Sequence, residues 1–169
     1  MGPMDFEVAI ERLDQIGDVW RRLVEFAAIY RVKRIGYHHL PPACAPDAQF
    51  LRIENEGFGE ALLAQYLRAR AQGLAVLAAV AQRSLGPVYL DELERCSSLS
   101  ERERDHLSGY RAAGVVNGLA LPVFGPGGRN GIFAVELVAD TPRLPPEALA
   151  CLRSLGRHHG GAPPTPPIV

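Results

Sequence analysis

No uninterrupted apolar run in this 169-residue chain approaches the roughly 20 residues of a membrane-crossing helix. Nor does the N-terminus carry a basic region followed by an apolar core. A spanning or secreted protein is therefore not expected, and the cytoplasm is the expected location. Excess charge is missing too: 18 Lys+Arg against 19 Asp+Glu leave a formal net charge of -1, which gives no electrostatic case for nucleic-acid binding by this chain alone. Cysteine is scarce. Cys44, Cys96 and Cys151 are widely spaced without a C-x-x-C, which reads as packed or surface thiols rather than a redox or metal centre. The pairs His38-His39 and His158-His159 make no ready metal site, because adjacent residues point to opposite faces of a strand and lie about 100° apart on a helix. Catalytic signatures are absent as well. There is no G-x-S-x-G, no H-E-x-x-H and no paired carboxylate in an apolar setting, while Ser84, Ser97, Ser98 and Ser100 stand in polar or capping contexts. An enzyme is not expected, and no cofactor is implied.

What is present is one domain's worth of alternating helical and strand patterns. Phe6, Ile10, Leu13, Ile16, Trp20, Leu23, Val24 and Ala27 mark one face of a helix from Asp5 to about Tyr30, with a possible interruption at Gly17. Arg34 to Leu40 and Ala48 to Asn55 read as two strands pairing antiparallel, joined by the proline-rich Pro41 to Asp47. Helices follow at Phe58 to about Gln72 and Ala75 to about Arg83, separated near Gly73. Val88-Tyr89-Leu90 is a brief strand or a helix start. Ser100 and Glu103 have the spacing of a capping box, so a further helix starts there and ends near Gly114. Pro145 and Pro146 open a last helix to about Arg157 that buries Leu149, Leu152 and Leu155. The expected domain runs from residue 4 to 159, with Met1-Gly2-Pro3 as a remnant before it. Residues 160–169, rich in proline, form an extended, mobile tail. These elements predict an α/β fold, a three-layer α/β/α sandwich around a mostly antiparallel sheet of about five strands, PAS- or GAF-like in architecture.

The most informative stretch is AGVVNGLALPVFGPGGRNGIFAVEL, from Ala113 to Leu137. Gly114 supplies a left-handed cap, and Gly125, Gly127 and Gly128 permit a tight reversal between two strands. Leu119, Leu121 and Val123 alternate on the first strand, as do Phe133, Val135 and Leu137 on the second. With Gly114, Gly118, Pro122, Gly128 and Gly131 in place, the stretch resembles the C-terminal half of the autoinducer-binding domain of LuxR-type quorum-sensing regulators. FGEALLAQY, from Phe58 to Tyr66, and SLGPVYL, from Ser84 to Leu90, fall at that family's spacing. The resemblance covers roughly Phe6 to Leu155.

The resemblance implies a pocket between sheet and helices. In such domains a few polar side chains hold the lactone and amide of an acyl-homoserine lactone, since an unpartnered buried polar group costs about 1–3 kcal/mol. The corresponding positions here are Phe58, Leu62, Tyr66, Ala75, Leu77, Leu90 and Ala134. Only Tyr66 keeps a polar atom. Either a cavity persists and suits an apolar molecule with one hydrogen-bonding end, or the aliphatic side chains fill the space and no ligand binds. A sensory domain acting in transcription regulation follows from the first. The second leaves an interaction module, an antiactivator that heterodimerises with a full-length LuxR-type regulator and so removes one of its two reading heads. The partners implied are a small apolar ligand and a homodimer or heterodimer mate, with no membrane and no direct nucleic-acid contact. The helix-turn-helix domain that completes such regulators has no counterpart in these residues. The proline tail, unlike the usual linker, favours a free-standing sensory domain over a trimmed one.

Overall fold

Gly36, Ala134 and Ala120 lie in register on three neighbouring strands, and the fold is arranged around that row. The computed structural model describes residues 16–40, 53–125 and 130–159, with side chains described for 17–40, 53–125 and 130–154. In chain order the elements are α1 (Ile16–Ile29), β1 (Val32–Leu40), β2 (Ile53–Glu56), α2 (Glu60–Ala71), α3 (Val76–Arg83), β3 (Val88–Tyr89), α4 (Leu90–Glu94), α5 (Glu101–Ala112), β4 (Asn117–Phe124), β5 (Asn130–Leu137) and α6 (Pro146–His159). The five strands form one sheet in the order β2-β1-β5-β4-β3, every pairing antiparallel. This is the three-layer α/β arrangement that the pattern implies.

One face of the sheet carries Ile35, Tyr37, Leu119, Leu121, Val123, Phe133, Val135 and Leu137, buried against α1 and α6. α1 contributes Val19, Leu23, Phe26 and Ala27, an i, i+4, i+7, i+8 stripe. It stops at Arg31, whose φ of 58° turns the chain into β1. α6 contributes Ala148, Cys151 and Leu152, with Leu149 half-buried. The side chain of Leu155 lies outside the described residues. The opposite face is covered by α2 to α5, with Leu62, Val76, Leu90, Leu93, Leu107 and Val115 as its buried cluster. Helical elements lie on both sides of the central strand β5, whose residues from Gly131 to Leu137 are buried except Ala134.

Local signals explain the boundaries. Ser100 Oγ accepts from Glu103 N at 3.3 Å and Glu103 Oε2 accepts from Ser100 N at 2.8 Å, the reciprocal capping box that starts α5. Gly114, with φ of 79°, ends that helix and lets Val115 N donate to Tyr110 O at 3.0 Å. The Val88-Tyr89-Leu90 segment resolves into both readings at once: β3, then α4 starting at Leu90. The strand expected from residue 34 begins at Val32, and β2 is described only from Ile53 and runs to Glu56. The expected helix start at residues 5–15, the proline-rich connection with Cys44, residues 48–52, most of the hairpin turn and the tail at 160–169 fall outside the described residues.

Candidate functional site

The row Gly36, Ala134, Ala120 is the floor of a cavity. These residues alternate with the large apolar set on β1, β5 and β4, so they point away from the α1/α6 core and toward α2 to α5. Having little or no side chain, they leave space beneath the helices. The cavity measures about 110 Å³, far above the roughly 10–15 Å³ that admits a single water. Ala134 is exposed even though it sits on the middle strand. The aliphatic side chains around it therefore do not fill the space.

Six of the seven positions implied by the resemblance line this cavity: Phe58, Leu62, Tyr66, Leu77, Leu90 and Ala134. Phe58, Leu62 and Tyr66 recur every four residues, which brings them to one side of α2 and the turn before it. Leu77 comes from α3 and Leu90 from the start of α4. Ala75 is not among the lining residues; it is buried at the N-cap of α3, where no side chain caps the helix.

The resemblance implies Tyr66 as the sole polar group of the wall; the structure corrects this, since His38, Asn55 and Tyr110 line the cavity as well. His38 shares the inward face of β1 with Gly36, and its neighbour His39 points the other way. The His38 Nδ1 lies 2.5 Å from the Tyr66 hydroxyl, with the two rings edge-on at 5.5 Å between centroids. Arg70, one turn beyond Tyr66 on α2, brings Nη1 against His38 Nε2 and to 3.1 Å from Nδ1. Tyr110 Oη lies 3.1 Å from His106 Nε2, one turn earlier on α5. Two signals for these residues were available: the alternation that pairs Gly36 with His38, and the i, i+4 spacing that extends the row from Tyr66 to Arg70.

Burial governs the protonation of this end. Burial first, then the positive charge of Arg70 and the neighbouring His39, lowers the His38 ring to about 3, so it is neutral at physiological pH. Burial raises the Tyr66 phenol to about 12 against the opposing pull of Arg70. Tyr110 is raised by burial and by Tyr66, and His106 is lowered by burial. The cavity is thus apolar over most of its wall with one end of neutral donors and acceptors, backed by a guanidinium. Among the described residues no Asp or Glu lines the cavity. Among the described residues no group of three or more His, Cys, Asp or Glu is placed to hold a metal ion, and no helix is long and apolar enough to cross a membrane.

An open cavity between an antiparallel sheet and a helical layer, with a polar end, has the form of a small-molecule-binding domain. The family model for the autoinducer binding domain matches residues 15–159, and the chain belongs to that family, the ligand-binding part of LuxR-type quorum-sensing regulators. Among solved structures it is similar to the N-acylhomoserine-lactone-dependent LuxR-family transcription factor CepR2 from Burkholderia cenocepacia, at TM-score 0.62 and 14% identity over 94% of this chain and 89% of that one. It is also similar to SdiA in complex with octanoyl-rac-glycerol, at 0.68 and 12% over 94% and 62%. The GAF domain/HD domain protein from Geobacter sulfurreducens follows at 0.53 and 14% over 89% and 93%. At these identities the structural likeness shows the fold alone. The chain spans under two thirds of the SdiA chain, and no curated protein matches it by sequence.

Proposed function

We propose that this domain is a sensor for a small molecule more apolar than an acyl-homoserine lactone, with an extended hydrocarbon body and one hydrogen-bonding end. The exposure of Ala134 at the middle of the sheet carries this reading: the space above it is open, and its wall is Leu62, Leu77, Leu90 and Phe58 with few polar atoms. Among the described residues of that lining a lactone amide would meet no carboxylate acceptor. SdiA, of the same fold, is found with octanoyl-rac-glycerol, an acyl compound without a lactone, which supports the reading by analogy. Occupancy would stabilise the folded domain and so bias a cytoplasmic dimer, either of two copies or with a LuxR-type regulator, that controls transcription.

Native mass spectrometry of the protein purified from its own host tests the proposal. A retained organic mass, one per chain, is the expected result. A chain free of any such mass but carrying a co-purified LuxR-type regulator would favour the antiactivator instead. Calorimetric binding of octanoyl-homoserine lactone at micromolar or better affinity would overturn the exclusion of the customary signal.

A further inference from the structure

α2 walls the cavity, yet it has open space on two sides. Leu62 and Tyr66 face the cavity from it, and of the helix's own residues only Leu62 and Ala69 are buried. On its other flank an open cleft of about 410 Å³ separates α2 from α5, with Gln65, Arg68 and Gln72 on one bank and Arg102, Asp105 and His106 on the other. A helix with a cavity on one side and a polar cleft on the other forfeits few apolar contacts when it moves. Both of its ends have room to turn: a carbon added at Gly59, the N-cap, or at Gly73, which follows the helix with φ of 70°, would meet nothing within 4 Å. Between these ends the side-chain ties converge on one ring. Tyr66 Oη lies 2.5 Å from His38 Nδ1, and Arg70 Nη1 lies 3.1 Å from the same atom, so successive turns of α2 are fastened to β1 at His38. Whichever ring nitrogen carries the proton, both ties end together when the helix lifts. Among the described residues no other hydrogen bond or ion pair joins a side chain of α2 to another element. The neighbouring α5 is fastened differently, by Arg111, which donates to Glu94 of α4 at 2.6 Å and to Val116 O.

We infer that α2 is the lid of the cavity and His38 its catch: the ligand enters and leaves as the helix swings outward about Gly59 and Gly73, and the contacts of Tyr66 and Arg70 with His38 set how often it does so. The inference rests on the ligand-binding reading above and adds how that site is gated. An apolar molecule under α2 touches Leu62 only while the helix is closed, so occupancy favours the closed form. Arg70 is a positioning residue here. It fastens the lid without itself lining the cavity, so the gate can be loosened while the wall that meets the ligand stays as it is.

The rate at which iodoacetamide alkylates a thiol on the cavity floor tests the inference. Ala120, only 2% exposed, supplies the position, and Ala120→Cys in the full chain is followed by peptide mass so that the native cysteines do not contribute. Adding Arg70→Gln is expected to speed alkylation about tenfold, the effect of losing a hydrogen bond made by a charged group. Adding Arg111→Gln, which unfastens α5 instead, should leave the rate unchanged; melting curves verify that each variant is folded. Acceleration by Arg70→Gln alone supports the lid. No acceleration by Arg70→Gln, or equal acceleration by both substitutions, would overturn it. Saturating octanoyl-rac-glycerol should slow alkylation of the Ala120→Cys chain, and a failure to do so would count against the ligand-binding reading alone, since the comparison of the two arginine variants is made without ligand.

Discussion

Gly36 on β1 stands directly opposite Ala134 on β5, and between them they bring a single methyl group to the middle of the sheet. That pairing, extended to Ala120 on β4, is what keeps the helical layer from closing onto the strands. Ala134→Leu should therefore occupy ligand volume without crowding the structure. Uptake of octanoyl-rac-glycerol by calorimetry should fall at least about tenfold, and the melting temperature should hold or rise, because each newly buried methylene contributes about 0.8 kcal/mol. A lowered melting temperature with binding retained would place the ligand elsewhere.

The other face of the sheet tolerates far less. A carbon added at Gly131 would lie 2.5 Å from Tyr37 Cζ and 2.6 Å from Cε2, and Tyr37 is only 1% exposed. Its ring is packed against Phe133 at 4.8 Å between centroids and has no room to yield. Gly131→Ala is expected to cost about 1–3 kcal/mol, read as a lowered urea midpoint. In a Tyr37→Leu background the same substitution should cost much less, and equal costs in both backgrounds would remove Tyr37 as the cause.

Much of this architecture is readable along the chain, because it rests on short-range signals. The Ser100/Glu103 spacing gives the start of α5, Gly114 gives its end, and the alternation of Leu119, Leu121 and Val123 with Phe133, Val135 and Leu137 gives the hairpin. What alternation does not reveal is that, Ala134 apart, the intervening residues of β5 from Ile132 to Glu136 are buried too. Glu136 has the place of an outward polar residue, yet it is 1% exposed and held by Arg34 Nε at 3.1 Å and Lys33 Nζ at 3.5 Å. The cavity shows the same division. Its apolar wall follows from the family resemblance, whereas the polar end needs His38 brought to Tyr66 and Arg70, 28 and 32 residues further along. Such distant pairings arise from sheet and helix packing, and no local spacing encodes them.

The capping box makes a separate, local prediction. Ser100→Ala removes the acceptor for Glu103 N and frees Glu103 from its bond to Ser100 Oγ at 2.7 Å. The expected loss is about 1 kcal/mol. Hydrogen exchange should locate it, with faster exchange confined to the first turn of α5. Acceleration spread evenly over the chain would mean that α5 does not open independently.

The neutral state of His38 should appear as a loss of stability in mild acid. Its folded pKa, lowered to about 3, lies below the ordinary histidine value of 6.5. Below that value the unfolded chain takes up a proton that the folded chain refuses, so stability declines as pH falls from about 6.5 toward 3. At about 1.36 kcal/mol per pH unit, His38 accounts for a loss of about 2 kcal/mol by pH 5. The groups facing the ring are Arg70 and Tyr66 from α2, with His39 beside it on β1; Arg70 and His39 oppose protonation, and Tyr66 remains neutral throughout this range. His106 is shifted downward too and adds a fall of the same sign, so the informative quantity is a difference. Denaturant titrations of the wild-type chain and of His38→Gln between pH 7 and pH 5 supply it. The variant should lose clearly less stability over that interval, and parallel curves would show that the His38 ring is protonated without penalty inside the fold.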